Sequence, residues 1–183
     1  DVAAEQITAY IELLYDDTGG LFYHQYDGES GATNGTFWGR GNGWALLGLT
    51  KTLSQLPSEH PSFASLMARY RSLCRVLASH QAPDGSWHTV LNRPDTYKEH
   101  SLAPMFGYAL LKGIHYKWLD ATFQPVTDRA WDALTTTLNG GLLRGVSVAT
   151  PPGDVRHYNQ IPTGTNFPWG QGPALLFALE HVY

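Results

Sequence analysis

Apolar residues recur at helical spacing along most of the chain and predict six helices. The first is marked by Val2, Ile7, Ile11 and Leu14, which fall on one face of a helix, and Gly19-Gly20 is suited to ending it. The same spacing, bounded by prolines and glycines, predicts five further helices at Trp44–Leu56, Phe63–Leu77, Ser101–Leu119, Val126–Leu138 and Gly172–Tyr183.

A repeated tripeptide indicates that these helices form similar units. Ala-Leu-Leu occurs at 45–47, 109–111 and 174–176, and a glycine turn precedes each copy. A regular period of this length is typical of one supersecondary unit used several times, each unit burying its apolar face on its neighbours. The sequence therefore predicts three antiparallel helical hairpins in one all-α domain over residues 1–183.

Glycine- and proline-rich segments separate the helices and differ in length. We expect the glycine turns to lie at one end of the hairpins and the long loops at the other end, where function should concentrate. The turns are Gly19-Gly20, Pro83–Gly85 and Asn139–Gly141, and the long loops are 23–40, 88–100 and 144–170. Strands are expected to be few, with short pairings at 88–91 and 146–149.

Composition narrows the class of protein. The chain has 183 residues, 43% of them hydrophobic and 15% charged, which is enough to bury the core of one domain. A net charge of −4 gives no basic field for nucleic acid, and no apolar run approaches the roughly 20 residues of a membrane span. The histidines lack metal-ligand spacing and Cys74 is the only cysteine, so we expect no metal, no cofactor and no intrachain disulfide. Asn34-Gly35-Thr36 matches a glycosylation acceptor, which is compatible with secretion.

The segment Trp38–Trp44 carries the strongest candidate chemistry. It places two tryptophans and Arg40 among three glycines, directly before a predicted helix. An indole face suits the C–H face of a sugar, a guanidinium suits a carboxylate, and glycine lets the backbone approach a ligand closely. The pattern indicates a pocket for an acidic sugar ring. The alternative is a tight helix start with two core tryptophans and a surface arginine.

Four segments resemble the unsaturated glucuronyl and rhamnogalacturonyl hydrolases, which are the related glycoside hydrolase families 88 and 105. The segments are Asp16–His24, Phe37–Trp44, Ser101–Ile114 and Trp169–Leu176, and together they span nearly the whole chain. The resemblance implies an (α/α)6 toroid of six helical hairpins around a central cleft. Three predicted hairpins correspond to about half of that ring, its C-terminal half.

The resemblance also implies a reaction. Family members remove a terminal 4,5-unsaturated uronic acid from pectin or glycosaminoglycan fragments by hydrating its vinyl ether, with an aspartic acid as the proton donor. The family's catalytic aspartates lie in the N-terminal half of the ring, so no catalytic residue is carried over to this chain. Asp16, Asp17 and Asp27 are expected to be polar loop residues.

The residues carried over by resemblance are substrate-binding ones. Trp38 would stack on or wall the uronate, and Arg40 would contact its carboxylate or ring hydroxyls. We expect Trp38, Arg40 and His24 to lie together in the cleft, with Arg40 accessible to a carboxylate. Trp44 is expected to be the most structural of these residues because it lies within the helix. Asn42 would hydrogen-bond a sugar hydroxyl or, more in keeping with its position, cap the helix.

Two other polar segments lie at the predicted long-loop end of the hairpins. Glu99 and His100 precede the fourth helix and could face the cleft, whereas Ser101 is expected to cap that helix. The polar segment 156–160 could also reach a substrate.

Two functional hypotheses follow for the chain. It is a glycoside hydrolase acting on unsaturated uronides, or it is a non-catalytic half-toroid that binds acidic sugar and requires a partner half for activity. Half of a ring would expose apolar flanks, and such patches usually mark interfaces. We therefore expect the chain to pair with the N-terminal half of a toroid or to self-associate.

Overall fold

The computed structural model describes residues 2–182, which form two rows of helices. The long helices are α1 (Val2–Leu14), α2 (Gly39–Gln55), α3 (Phe63–Ser79), α4 (Leu102–His115), α5 (Gln124–Thr137) and α7 (Pro168–Val182). Helix α4 packs between α2 and α7 in one row, while α1 and α3 pack on α2, and α5 packs on α4. A short helix, α6 (Val155–Tyr158), lies in the last long loop and was not predicted.

In the described part of the chain, the strands form four antiparallel pairs, and each strand has two residues. The pairs are β1 (Tyr15–Asp16) with β2 (Leu21–Phe22), β3 (Tyr26–Asp27) with β4 (Ala32–Thr33), β5 (Leu138–Asn139) with β6 (Leu142–Leu143), and β7 (Val146–Ser147) with β8 (Thr163–Gly164). The pairing expected at 146–149 is thus present at Val146–Ser147. Segment 88–91 makes only isolated bridges, Trp38 with Val90 and His88 with Lys98.

Each of the three repeated units consists of an outer helix, a turn, a long loop and an inner helix, in that order. The three Ala-Leu-Leu copies lie on α2, α4 and α7, the three helices of the inner row, as the repeat predicts. The expectation that turns and long loops lie at opposite ends is wrong, because each turn and the loop after it join the same two helices. The short connections at the other end are 56–62 and 116–123.

Helix α2 begins at Gly39 and not at Trp44. Glycine disfavours helix, but here it lets the inner helices approach each other. A Cβ on Gly43 would lie 2.5 Å from the Met105 sulfur of α4, and one on Gly107 of α4 would overlap the Phe177 ring of α7. These glycines therefore serve helix packing.

Two further helix boundaries differ from the prediction. Helix α4 ends at His115, where Lys117 adopts a φ of 59° and the chain turns. Helix α7 begins at Pro168 and accommodates Pro173 in its interior. No helix among residues 2–182 is both long and apolar enough to span a bilayer.

Candidate functional site

A buried ion pair joins two of the long loops where they meet the inner helices. Arg40, in the first turn of α2, is 3% exposed, and Glu99, just before α4, is 1% exposed. Arg40 Nη1 lies 3.2 Å from Glu99 Oε1. Burial lowers the pKa of Arg40, whereas the Glu99 carboxylate and Tyr97 raise it. The guanidinium stays charged at neutral pH.

The third long loop is attached to the same pair through strand β7. Glu99 Oε1 accepts the Ser147 backbone N–H at 2.7 Å, and Arg40 Nη1 donates to the Ser147 carbonyl at 2.8 Å. Arg40 Nη2 donates to the Val148 carbonyl at 2.8 Å and to Thr150 Oγ1 at 3.0 Å. The ion pair therefore fixes three segments that are far apart in sequence.

Trp38 packs inside this layer of loops, and its faces are covered. Its ring lies 4.1 Å from the His24 ring and 6.1 Å from the parallel Tyr158 ring, centroid to centroid. The Arg40 guanidinium lies 4.9 Å from the Trp38 centroid and 5.5 Å from that of Trp169. The Trp38 side chain is 6% exposed, and its Nε1 has no hydrogen-bond partner in the described structure.

The histidine next to Trp38 is held by the last long loop. His24 Nδ1 lies 2.6 Å from the Tyr158 hydroxyl oxygen, and that oxygen accepts hydrogen bonds from Asn34 Nδ2 and the Gly153 N–H. Burial, followed by the charges of Arg40 and His157, lowers the pKa of His24 to about 4. The imidazole is therefore neutral near pH 7.

Asn42 joins α2 to the first glycine turn. Its Oδ1 accepts the Phe22 N–H at 2.8 Å, and its Nδ2 donates to the Phe22 carbonyl at 2.9 Å and the Trp38 carbonyl at 3.0 Å. The expected cap is wrong, because Trp38 occupies the N-cap position and Asn42 lies inside the first turn. Complete burial also keeps Asn42 from a sugar hydroxyl.

An apolar pocket of about 340 Å³ opens between α1 and α2. Trp44, 47% exposed, and Tyr10, 58% exposed, lie on its two sides, and His24 and Tyr23 line it next to Gly41. Trp44 is thus the accessible tryptophan of the motif, contrary to its expected structural role. It lies in the second turn of a helix that starts earlier than predicted, and it lines the pocket between α1 and α2.

The structure brings Trp38, Arg40 and His24 together, as predicted, but their exposure differs from the prediction. The expected accessibility of Arg40 is wrong, since Arg40 is buried among residues of the other two loops, and Trp38 is buried beside it. A surface arginine, the alternative interpretation, is also wrong. Ser101 occupies the N-cap position of α4 but makes no side-chain cap; its hydroxyl donates to Glu99 Oε2 at 2.5 Å.

Sequence reasoning did not single out Tyr158 and Asn34 of the loop layer or Tyr10 of the pocket. Tyr158 was included only as one member of the polar segment 156–160, Asn34 only as a glycosylation acceptor, and Tyr10 not at all. The segment 156–160 does reach His24, through Tyr158. The available signal was the number of aromatic and amide residues in the long loops.

The acidic residues considered as proton donors have structural partners. Asp16 Oδ2 accepts the Gly19 N–H at 2.7 Å, Asp17 pairs with Arg69 at 2.9 Å, and Asp27 stabilises its own turn through Ser30. Within residues 2–182 no group of three or more His, Cys, Asp or Glu side chains could hold a metal ion.

The inner and outer rows, joined through a layer of loops at one end, define about half of an (α/α)6 toroid of the glycoside hydrolase type. All 183 residues match the profile of Glycosyl Hydrolase Family 88, and the chain belongs to that family.

Named relatives agree with this assignment. The chain is 30% identical over 179 residues to the unsaturated rhamnogalacturonyl hydrolase YesR of Bacillus subtilis, covering 96% of this chain and 50% of that protein. It is 29% identical over 137 residues to an unsaturated 3S-rhamnoglycuronyl hydrolase of an Alteromonas species, covering 72% of this chain and 33% of that protein. The chain thus spans half or less of the length of these relatives.

Solved structures match the fold closely. A possible member of the GH105 family from Klebsiella pneumoniae superimposes with a TM-score of 0.92 at 27% identity, covering 98% of this chain and 48% of that one. The unsaturated glucuronyl hydrolase of Bacillus sp. GL1, at 21% identity and a TM-score of 0.65, shares the fold, with 96% of this chain and 51% of that chain covered.

Removing the buried carboxylate should destabilise the fold strongly. Glu99→Ala leaves the Arg40 charge unpaired in the interior, so we expect the free energy of unfolding to fall by about 3–5 kcal/mol in a urea titration. The matched control is Asp95→Ala, which breaks the exposed Arg93–Asp95 pair and should change stability little. Equal small effects of the two substitutions would show that the buried pair does not hold the loops.

Proposed function

We propose that this chain forms the sugar-binding half of a hydrolase that removes a terminal 4,5-unsaturated uronic acid from pectin-derived rhamnogalacturonan oligosaccharides. The observation that carries the proposal is the similarity to an unsaturated rhamnogalacturonyl hydrolase over 96% of the chain. Membership of a glycoside hydrolase family supports the reaction class.

The proposed reaction hydrates a vinyl ether. A carboxylic acid protonates C4 of the C4=C5 bond, water adds at C5, and the resulting hemiketal opens and releases the rest of the oligosaccharide. The acid must be protonated and close to the double bond. Asp16, Asp17, Asp27 and Glu99 are all engaged in turns or ion pairs. We therefore assign the proton donor to the other half of the toroid.

The accessible aromatic residues provide the proposed binding surface of this chain. Trp44 and Tyr10 present flat apolar faces to the pocket between α1 and α2, and His24 adds a polar edge. Sugars commonly place a C–H face against such rings, while hydroxyl and carboxylate oxygens meet polar groups. Arg40 packs on Trp38, which packs against His24, so the ion pair supports this surface through Trp38.

Truncating Trp44 should weaken sugar binding. We expect Trp44→Ala to reduce the affinity for an unsaturated galacturonyl–rhamnose disaccharide about tenfold, because an aromatic contact is worth on the order of 1 kcal/mol or more. The measurement is isothermal titration calorimetry of the full chain. Tyr116→Ala is the matched control, since Tyr116 is 46% exposed and lies at the opposite end of the helices. Equal affinities of wild type and both variants would reject the surface.

The second hypothesis, that the chain needs a partner half, is supported by exposed apolar residues at the two ends of the inner row. On the α1 side these are Val2 and Leu13, and on α7 they are Leu175, Leu179 and Val182, with exposures of 46% to 80%. A row that continued into a ring would cover them. We propose that the complementary half of the toroid packs on these flanks and brings the catalytic acid.

The uncovered flanks should make the isolated chain associate without turnover. We expect light scattering to give a mass above 20.2 kDa that rises with concentration, and no loss of the unsaturated uronide's ultraviolet absorbance. Leu179→Glu, on the α7 flank, should lower the mass, whereas Leu142→Glu, an exposed leucine of the β5–β6 turn, should not. A monodisperse monomer with full turnover would contradict the proposal.

A further inference from the structure

The hydrogen bonds around the Tyr158 hydroxyl determine which nitrogen of His24 carries its proton. Tyr158 ends helix α6 and is fully buried, so its hydroxyl has no access to water. Three nitrogen atoms surround the oxygen: His24 Nδ1 at 2.6 Å, Asn34 Nδ2 at 3.0 Å and the Gly153 backbone N at 3.2 Å. A hydroxyl can accept two hydrogen bonds and donate one.

Two of these three nitrogens can only donate. The Gly153 N–H is a backbone donor. The orientation of the Asn34 amide is set by two backbone groups, because its Oδ1 accepts the Gln25 N–H and its Nδ2 donates to the Gly153 carbonyl. Both acceptor positions of the Tyr158 oxygen are therefore filled, and its single proton is left for His24 Nδ1.

We propose that Tyr158 is a positioning residue that fixes His24 as the neutral imidazole with its proton on Nε2, ready to donate to an oxygen of a sugar ligand. In the opposite tautomer, an Nδ1–H would point at an oxygen whose acceptor positions are already used, and the buried Tyr158 proton would lose its partner. The described residues offer Nε2 no hydrogen-bond partner, and His24 lines the pocket with Trp44 and Tyr10.

The surroundings of His24 favour the same neutral state. The charged and titratable groups that face it are Arg40 of α2, and His157 and Tyr158 of α6. The ring packs against Trp38 with the centroids 4.1 Å apart and the planes tilted by 36°, which restricts its orientation. A neutral, oriented donor binds a hydroxyl or carboxylate oxygen but supplies no proton to a reaction at neutral pH. The assignment of the His24 tautomer does not depend on the proposed function. Only the identity of the ligand as an unsaturated sugar rests on the proposed function.

Nitrogen-15 NMR of the histidine-labelled full chain tests the tautomer, with His24→Gln used to assign the signal. The wild-type spectrum at neutral pH should show His24 protonated at Nε2 alone. Tyr158→Phe should give mixed tautomers and a titration midpoint above the wild-type value, because the donor to Nδ1 is lost. Tyr116→Phe is the control, since Tyr116 is 46% exposed and lies at the opposite end of the helices, so the loss of its hydroxyl should leave His24 unchanged.

Asn34→Asp provides a second test that preserves the shape of the side chain. The new carboxylate would accept the Tyr158 proton, so the tyrosine oxygen would then accept from His24, and Nδ1 should become protonated. An Nε2–H signal in wild type that persists in both Asn34→Asp and Tyr158→Phe would overturn the proposal, as would a wild-type Nδ1–H signal.

Binding of the unsaturated disaccharide separates this inference from the proposed function. Tyr158→Phe and His24→Gln should each weaken binding about three- to tenfold, the effect of one hydrogen bond, and Tyr116→Phe should not. Binding equal to wild type in both variants overturns the positioning role. An intact Nε2–H tautomer with no binding in wild type instead rejects the proposed function and leaves the tautomer assignment standing.

Discussion

The structure depends on one buried ion pair, between Arg40 at the start of α2 and Glu99 before α4. Its two partners are nearly inaccessible to water, and both bind the backbone of Ser147 in β7. Burying two charges is costly unless their remaining hydrogen-bonding atoms are also satisfied. Here the backbone of the third loop, Thr150 and Ser101 supply those bonds. The pair can be satisfied only when all three loops are in place, so it couples their positions.

The position of these loops decides which aromatic residues a ligand can reach. Arg40 and His24 cover the faces of Trp38, so that tryptophan becomes part of the support. Trp44, in the second turn of α2, stays exposed beside Tyr10. The candidate binding surface is therefore built in two layers, with a charged and aromatic network below and accessible rings above. Helix α2 of the inner row carries Arg40 of the lower layer and Trp44 of the upper layer, which gives the surface a rigid base.

Much of the helical framework could be predicted, because apolar spacing and the repeated Ala-Leu-Leu depend only on local sequence. The roles of the residues in the Trp38–Trp44 segment could not be predicted in this way. Arg40 pairs with Glu99 and donates hydrogen bonds to residues 147–150. No local sequence pattern predicts contacts between residues so far apart in the chain. The glycines between Trp38 and Trp44 suggested a close approach to a ligand, whereas Gly43 accommodates Met105 of α4. Placing the helix start at Trp44 hid the fact that Arg40 and Asn42 are helical and face inward.

Amide hydrogen exchange at Ser147 tests most directly whether the ion pair holds the loop layer. Its N–H donates to Glu99 Oε1 and to no strand partner, so its protection reports on that contact. If the pair opens only when the protein unfolds, the protection factor of Ser147 should lie within about tenfold of that of Ala109 in the fully buried part of α4. Exchange as fast as that of Thr165, an exposed loop residue, would contradict the account.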